Sequence, residues 1–215
     1  MKHWAISVAA LYGLILAALT VPVIVLAVPN ANDPAGIYTI WPYWTWLLVR
    51  MLAQVALLAV PVRIASRRPV TRGSLLPTVL ASGLMMGGLL AGAVFAVYEF
   101  ATGAPDMPWR DVWRVFAVMA LTWCLWSLIF LRLGRKDNPS DYITRQSRTL
   151  LKGSILELLV AVPTHIVVRQ RHQCCAGFLT FIGLATGISV MLFSFGPAVF
   201  FLFVARWRRL HPAAH

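Results

Sequence analysis

Acidic side chains are scarce in this chain: seven Asp and Glu stand against 19 Lys and Arg in 215 residues. Charge of either sign makes up 12% of the sequence, about half the soluble average, while 60% is hydrophobic. A soluble fold of this length has too little core to hide so much apolar surface, so lipid must be its solvent. Cysteine is limited to three residues, which excludes a secreted disulfide framework. The clearly spanning apolar runs contain no His, which argues against a transmembrane haem held by two His ligands. No catalytic triad, phosphate loop, dinucleotide fingerprint, Cys-x-x-Cys or His-Glu-x-x-His is present, so an enzyme is not the expected class.

What the chain does have is a series of apolar runs. Residues 4–28, 43–65, 75–100, 112–133 and 177–204 are each long enough to cross a hydrocarbon core of about 30 Å. The expected fold is all-α: a polytopic helical membrane protein with five to six transmembrane or membrane-associated helices. Residues 1–215 are read as a single integral membrane domain. The first run has no charge and exceeds the roughly 7–15 apolar residues of a signal peptide, so it is read as a retained helix.

The net charge of +12 raises the question of nucleic acid. Its distribution answers it. The basic residues cluster at the ends of apolar runs, as in cytoplasmic loops, and form no stripe interleaved with aromatics on a polar face. Nucleic acid is therefore not an expected partner; the bilayer is, together with other membrane subunits. Lys2, a charge-poor first loop and Arg63, Arg67, Arg68 and Arg72 in the second put the N-terminus in the cytoplasm. The expected location is a bacterial inner membrane, crossed several times.

Residues 134–152 read as a cytoplasmic connector, with Ser140 as a candidate N-cap for an interfacial helix. The segment after it, 151–168, reads as short or broken because Lys152, Glu157, Pro163 and His165 interrupt it. If it crosses, Lys and Arg divide 14 inside to 4 outside, with Arg50 uncounted; if it does not, the split is 13 to 5. Charge bias alone does not separate these topologies.

Arg50, Gln54 one turn later, and Glu157 stand out as the intramembrane polar residues. An Arg at a helix centre costs about 2.5–3.5 kcal/mol unless it is paired. With so few acids available, Glu157 is its expected partner and Glu99 the second choice. One reading of Arg50 is a structural ion pair. The other is a small transporter or channel using Arg50 and a final helix kinked near Gly196-Pro197, which needs a polar cavity reaching Arg50. Small residues recur every fourth position at Gly83, Gly87 and Ala91, at Gly88, Gly92 and Ala96, and at Gly183 and Gly187. Such rows let helices pack closely.

The strongest chemical candidate is the stretch 153–177, GSILELLVAVPTHIVVRQRHQCCAG. Glu157, His165, Cys174 and Cys175 offer carboxylate, imidazole and thiolate, the donors that zinc and other transition metals use. On a continuous helix His165 and His172 share a face, with Glu157 about 80° away. Adjacent Cys residues have Cα atoms about 3.8 Å apart, below the roughly 4.4–6.8 Å of a relaxed disulfide. Arg169 and Arg171 nearby would make a thiol more reactive. These residues suggest an accessory protein with a metal-binding or redox-sensitive cluster at the cytoplasmic face, with a transition metal as the candidate cofactor. The competing reading is a basic interfacial connector with incidental His and Cys, in a structural or assembly subunit of a membrane complex.

Overall fold

The computed structural model describes residues 3–27, 33–65, 72–104, 107–134, 139–171 and 177–210. It contains six long helices: α1 (Trp4–Ala27), α2 (Trp41–Ala65), α3 (Arg72–Thr102), α4 (Trp109–Gly134), α5 (Pro139–Arg169) and α6 (Phe178–Leu210). All six are long and apolar enough to cross a membrane, and no strand occurs among the described residues. The chain is an all-α, multi-pass membrane protein. A short 3-10 helix (Pro34–Thr39) joins α1 to α2, started by Asp33 Oδ1, which accepts from the Ala35 and Gly36 amides at 3.1 Å each.

Helix α3 is the hub, packing on α2, α4, α5 and α6, whereas α4 packs mainly on α3. The glycine rows explain why. Gly83 and Gly87 lie against Trp123, Ser127 and Met119 of α4. Gly92, on the other row, lies against α6, where a Cβ on Gly183 would stand 2.8 Å from the Gly92 carbonyl oxygen. The two rows therefore serve two different helices, and at Gly87 and Gly92 they allow backbone contact that a side chain would prevent.

The fifth helix corrects the sequence reading. It is neither short nor broken, and it begins at Pro139 inside the supposed connector 134–152. Ser140, read as the N-cap, consequently lies within the helix. Tyr142, Gln146, Leu150, Ser154, Glu157, Ala161, His165 and Val168 are all buried, at intervals of three or four residues. That is one stripe of a single long helix. Of the residues that looked like interruptions, Glu157 and His165 face other helices, while Lys152 is exposed. Pro163 lies on the exposed side, and Thr164 Oγ1 donates to the Val160 and Ala161 carbonyls at 2.7 and 3.0 Å in the turn that the proline weakens.

The bundle has two ends. At one, the α1–α2 end, Ile24 and Ile37 share a cavity with Phe181 near the start of α6. At the other, Ala5, Leu58, Phe200 and Val204 form a core of α1, α2 and α6. Arg171 Nη2 donates to the Phe100 carbonyl at 2.7 Å, so the α5–α6 and α3–α4 connections share one end. Strict alternation makes that the α1–α2 end. It is opposite the end that carries Arg63, Arg132, Arg145, Arg148, Lys152 and Arg206. The expectation that both this basic end and the region after Arg169 face the cytoplasm therefore fails.

Candidate functional site

The intramembrane polar groups meet α3 at a regular interval. Arg50 touches Met85, Glu157 lies against Gly92, and Glu99 belongs to α3 itself. These contacts fall seven residues apart, on one face of α3 and about 10 Å apart along its axis. The result is a ladder from the middle of the bundle to the α1–α2 end.

Glu157 is the middle rung. It is 4% exposed, and neither carboxylate oxygen has a hydrogen-bond partner. Glycines surround it. A Cβ on Gly92 or Gly183 would stand 3.2 Å from Oε1, and one on Gly187 would run into Oε2. The carboxylate thus occupies space created by two other helices that lack side chains at that point. Burying a charge without a partner is costly, and an intramembrane acid that faces other helices is typical of ion and proton pathways.

Arg50, 8% exposed, has no carboxylate partner among the described residues, which overturns the expected pairing with Glu157 or Glu99. Its Nη1 approaches the Met85 sulfur at 2.6 Å, and its guanidinium lies 5.6 Å from the centre of the Trp46 ring. The cation is held by a polarisable thioether and an aromatic face. Nearby, Tyr12 donates to the Ser189 carbonyl at 3.1 Å, fixing α1 to α6. Gln54, one turn further along α2, is fully buried with both amide atoms unbonded, at a place on α6 where only Gly196 leaves room.

Glu99, the second-choice partner for Arg50, is the end rung, and it meets backbone amides in place of a cation. Its Oε1 accepts from the Gly177 amide and its Oε2 from the Thr180 amide, both at 2.7 Å. A helix start leaves its first amides unbonded, and a carboxylate there also meets the positive end of the helix dipole. Residues 174–177 (Cys-Cys-Ala-Gly) offer no local cap of the Ser, Thr, Asp or Asn type, so α3 supplies one. Gly177 has φ +100°, a backbone that favours glycine. His165 Nδ1 is 2.8 Å from Thr180 Oγ1. That hydroxyl also lies 3.1 Å from the Gly177 carbonyl, so His165 is tied through Thr180 to the start of α6.

Of the proposed metal ligands, Glu157 and His165 lie on the buried stripe of α5, about 12 Å apart along its axis. Cys174, Cys175 and His172 fall outside the described residues. Among the described residues no group of three or more His, Cys, Asp or Glu stands close enough to hold a metal ion. Cys124 is a free thiol on the outward side of α4. A cavity of about 170 Å³ lies between α1, α2 and α6, with Leu16, Val23 and Ile188 in its apolar wall. Trp46 lines it but Arg50 does not, so this cavity is not the polar chamber that a carrier built on Arg50 would need.

These features define a polytopic helical membrane protein with a buried polar ladder. Comparison with protein-family models, characterised proteins and solved structures gives no match, so its chemistry is read from geometry.

Proposed function

We propose that the protein translocates protons, with Glu157 as the group that binds and releases them and Arg50 and Gln54 as its polar neighbours deeper in the bundle. One observation carries this reading: both Glu157 oxygens are buried and unbonded inside a cradle of glycines. A proton needs no cavity, whereas a larger solute would have to displace helices that already touch at Gly92 and Gly183. With its proton, Glu157 is a neutral group that the site can hold. Once it gives the proton up, the carboxylate is drawn to the nearest buried cation, Arg50, about two helical turns along α3. Glu99 and His165 stand between this rung and the α1–α2 end.

The reconstituted full-length chain provides the test. In liposomes containing a trapped pH-sensitive dye, an imposed membrane potential should drive proton entry faster than in protein-free vesicles. Glu157→Gln should reduce entry to the protein-free rate while the helical circular dichroism is unchanged. Flux equal in the wild-type protein and in empty vesicles, or unaffected by the substitution, would sink the proposal.

The basic residues support a cytoplasmic location for the end that carries both chain termini. A C-terminal reporter active only in the cytoplasm would check that orientation; a silent reporter would reverse it.

A further inference from the structure

A second groove, about 220 Å³, opens between α5 and α6 at the basic end of the bundle. Its walls differ in chemistry. Phe195, Pro197, Ala198 and Phe201 of α6 form an apolar side, while Ser147 and Arg148 of α5 supply a hydroxyl and a cation. The Ser147 hydroxyl oxygen is buried with no hydrogen-bond partner. Arg148 is exposed, and it stands between Arg145 and Lys152, three and four residues away on the same face of α5.

Depth identifies the occupant. Arg148 lies 21 residues from Arg169 at the far end of α5, about 31 Å along the helix. That is the thickness of a hydrocarbon core, about 30 Å, so Arg148 sits where the headgroup layer begins. Phe195, which lines the same groove, lies nearer the far end, inside the hydrocarbon. A ligand that fits has an anionic phosphate at the interface and an apolar chain running inward.

We infer that this groove binds an anionic phospholipid, its phosphate on Arg148 and the Ser147 hydroxyl and one acyl chain running inward along Leu151 and Phe195. Basic pockets between helices at this level are suited to anionic headgroups. The inference is independent of proton transfer at Glu157, which lies on a different part of α5.

Native mass spectrometry of the detergent-solubilised full chain tests it, with phosphatidylglycerol and phosphatidylcholine of identical acyl chains. Phosphatidylglycerol should be retained more strongly, and Arg148→Gln should weaken its retention roughly fivefold and narrow its lead over phosphatidylcholine. Ala198→Trp, which fills the groove, should weaken both lipids at an unchanged unfolding temperature; if that temperature falls, Ala198→Leu is read by the same criterion. Equal retention of the two lipids overturns the site. So does a loss with Arg148→Gln and none with the groove-filling variant, because that pattern means attraction to the surface alone. Displacement of phosphatidylglycerol by excess inorganic phosphate would mean a simple anion site and overturns it as well.

Discussion

Gly187 and Glu157 occupy the same space in the sense that a methyl group on one would collide with the carboxylate of the other. The glycine of α6 is therefore part of the acid's binding pocket as much as of the helix interface. It ties the close packing of the bundle to the position of its one buried, unbonded carboxylate among the described residues.

Gly187→Ala should destabilise the protein by roughly 1–3 kcal/mol, the usual cost of overpacking a filled core. Gly88→Ala is the control, since a Cβ there would stand 3.8 Å from the Thr186 methyl, an ordinary contact. Thermal unfolding of both variants in detergent checks this. Adding Glu157→Ala to Gly187→Ala should recover part of the loss, because it empties the space that the methyl needs; strict additivity would contradict the shared pocket.

Arg50→Met should leave the unfolding temperature unchanged or raise it. The guanidinium is buried without an acid, and replacing a costly buried charge by an apolar chain of similar length removes that cost. A fall equivalent to several kcal/mol would mean that Arg50 has an anionic partner in the assembled protein.

Glu99→Ala strips the acceptor from two amides at the start of α6. A buried donor left unsatisfied costs about 1–3 kcal/mol, so the variant should be markedly less stable. Amide hydrogen exchange at Gly177 and Thr180 should speed up selectively. Glu99→Gln, which keeps one acceptor oxygen, should fall between it and the wild type. Unchanged exchange in Glu99→Ala would rule out the cap.

Much of the fold was legible because lipid imposes a simple rule: a helix long and apolar enough to cross is visible as a run. The rule failed at α5, where Lys152, Glu157, Pro163 and His165 were read as breaking the run. Lys152 and Pro163 lie on the exposed side, while Glu157 and His165 continue one stripe with Gln146 and Ser154 that faces other helices, so helical spacing was the better guide than average hydropathy. Glu157 and Arg50 stood out in the sequence because charge is expensive in a membrane. Their partners did not. The scarcity of acids favoured an Arg50–Glu157 pair, but a thioether and an indole took that place, and neither is marked by charge. The capping role of Glu99 was hidden by its closeness to Gly103 and Pro105, although the lack of any local cap before Phe178 was a usable sign that something remote must supply one. The glycine rows were correctly read as packing, but nothing in their spacing revealed that three of these glycines also make room for a carboxylate.

The contact between Glu99 and Gly177 joins residues 78 positions apart. Glu99 is therefore synthesised, and α3 placed in the bilayer, well before the amides it receives have left the ribosome. Until α6 arrives, that carboxylate stays at the lipid boundary with nothing to bind, and the start of α6 has no cap of its own until it reaches α3. Biogenesis of the last hairpin is thus a docking event onto helices already in place. A chain truncated before Gly177 would lack this latch and leave the Glu99 carboxylate without these two amides.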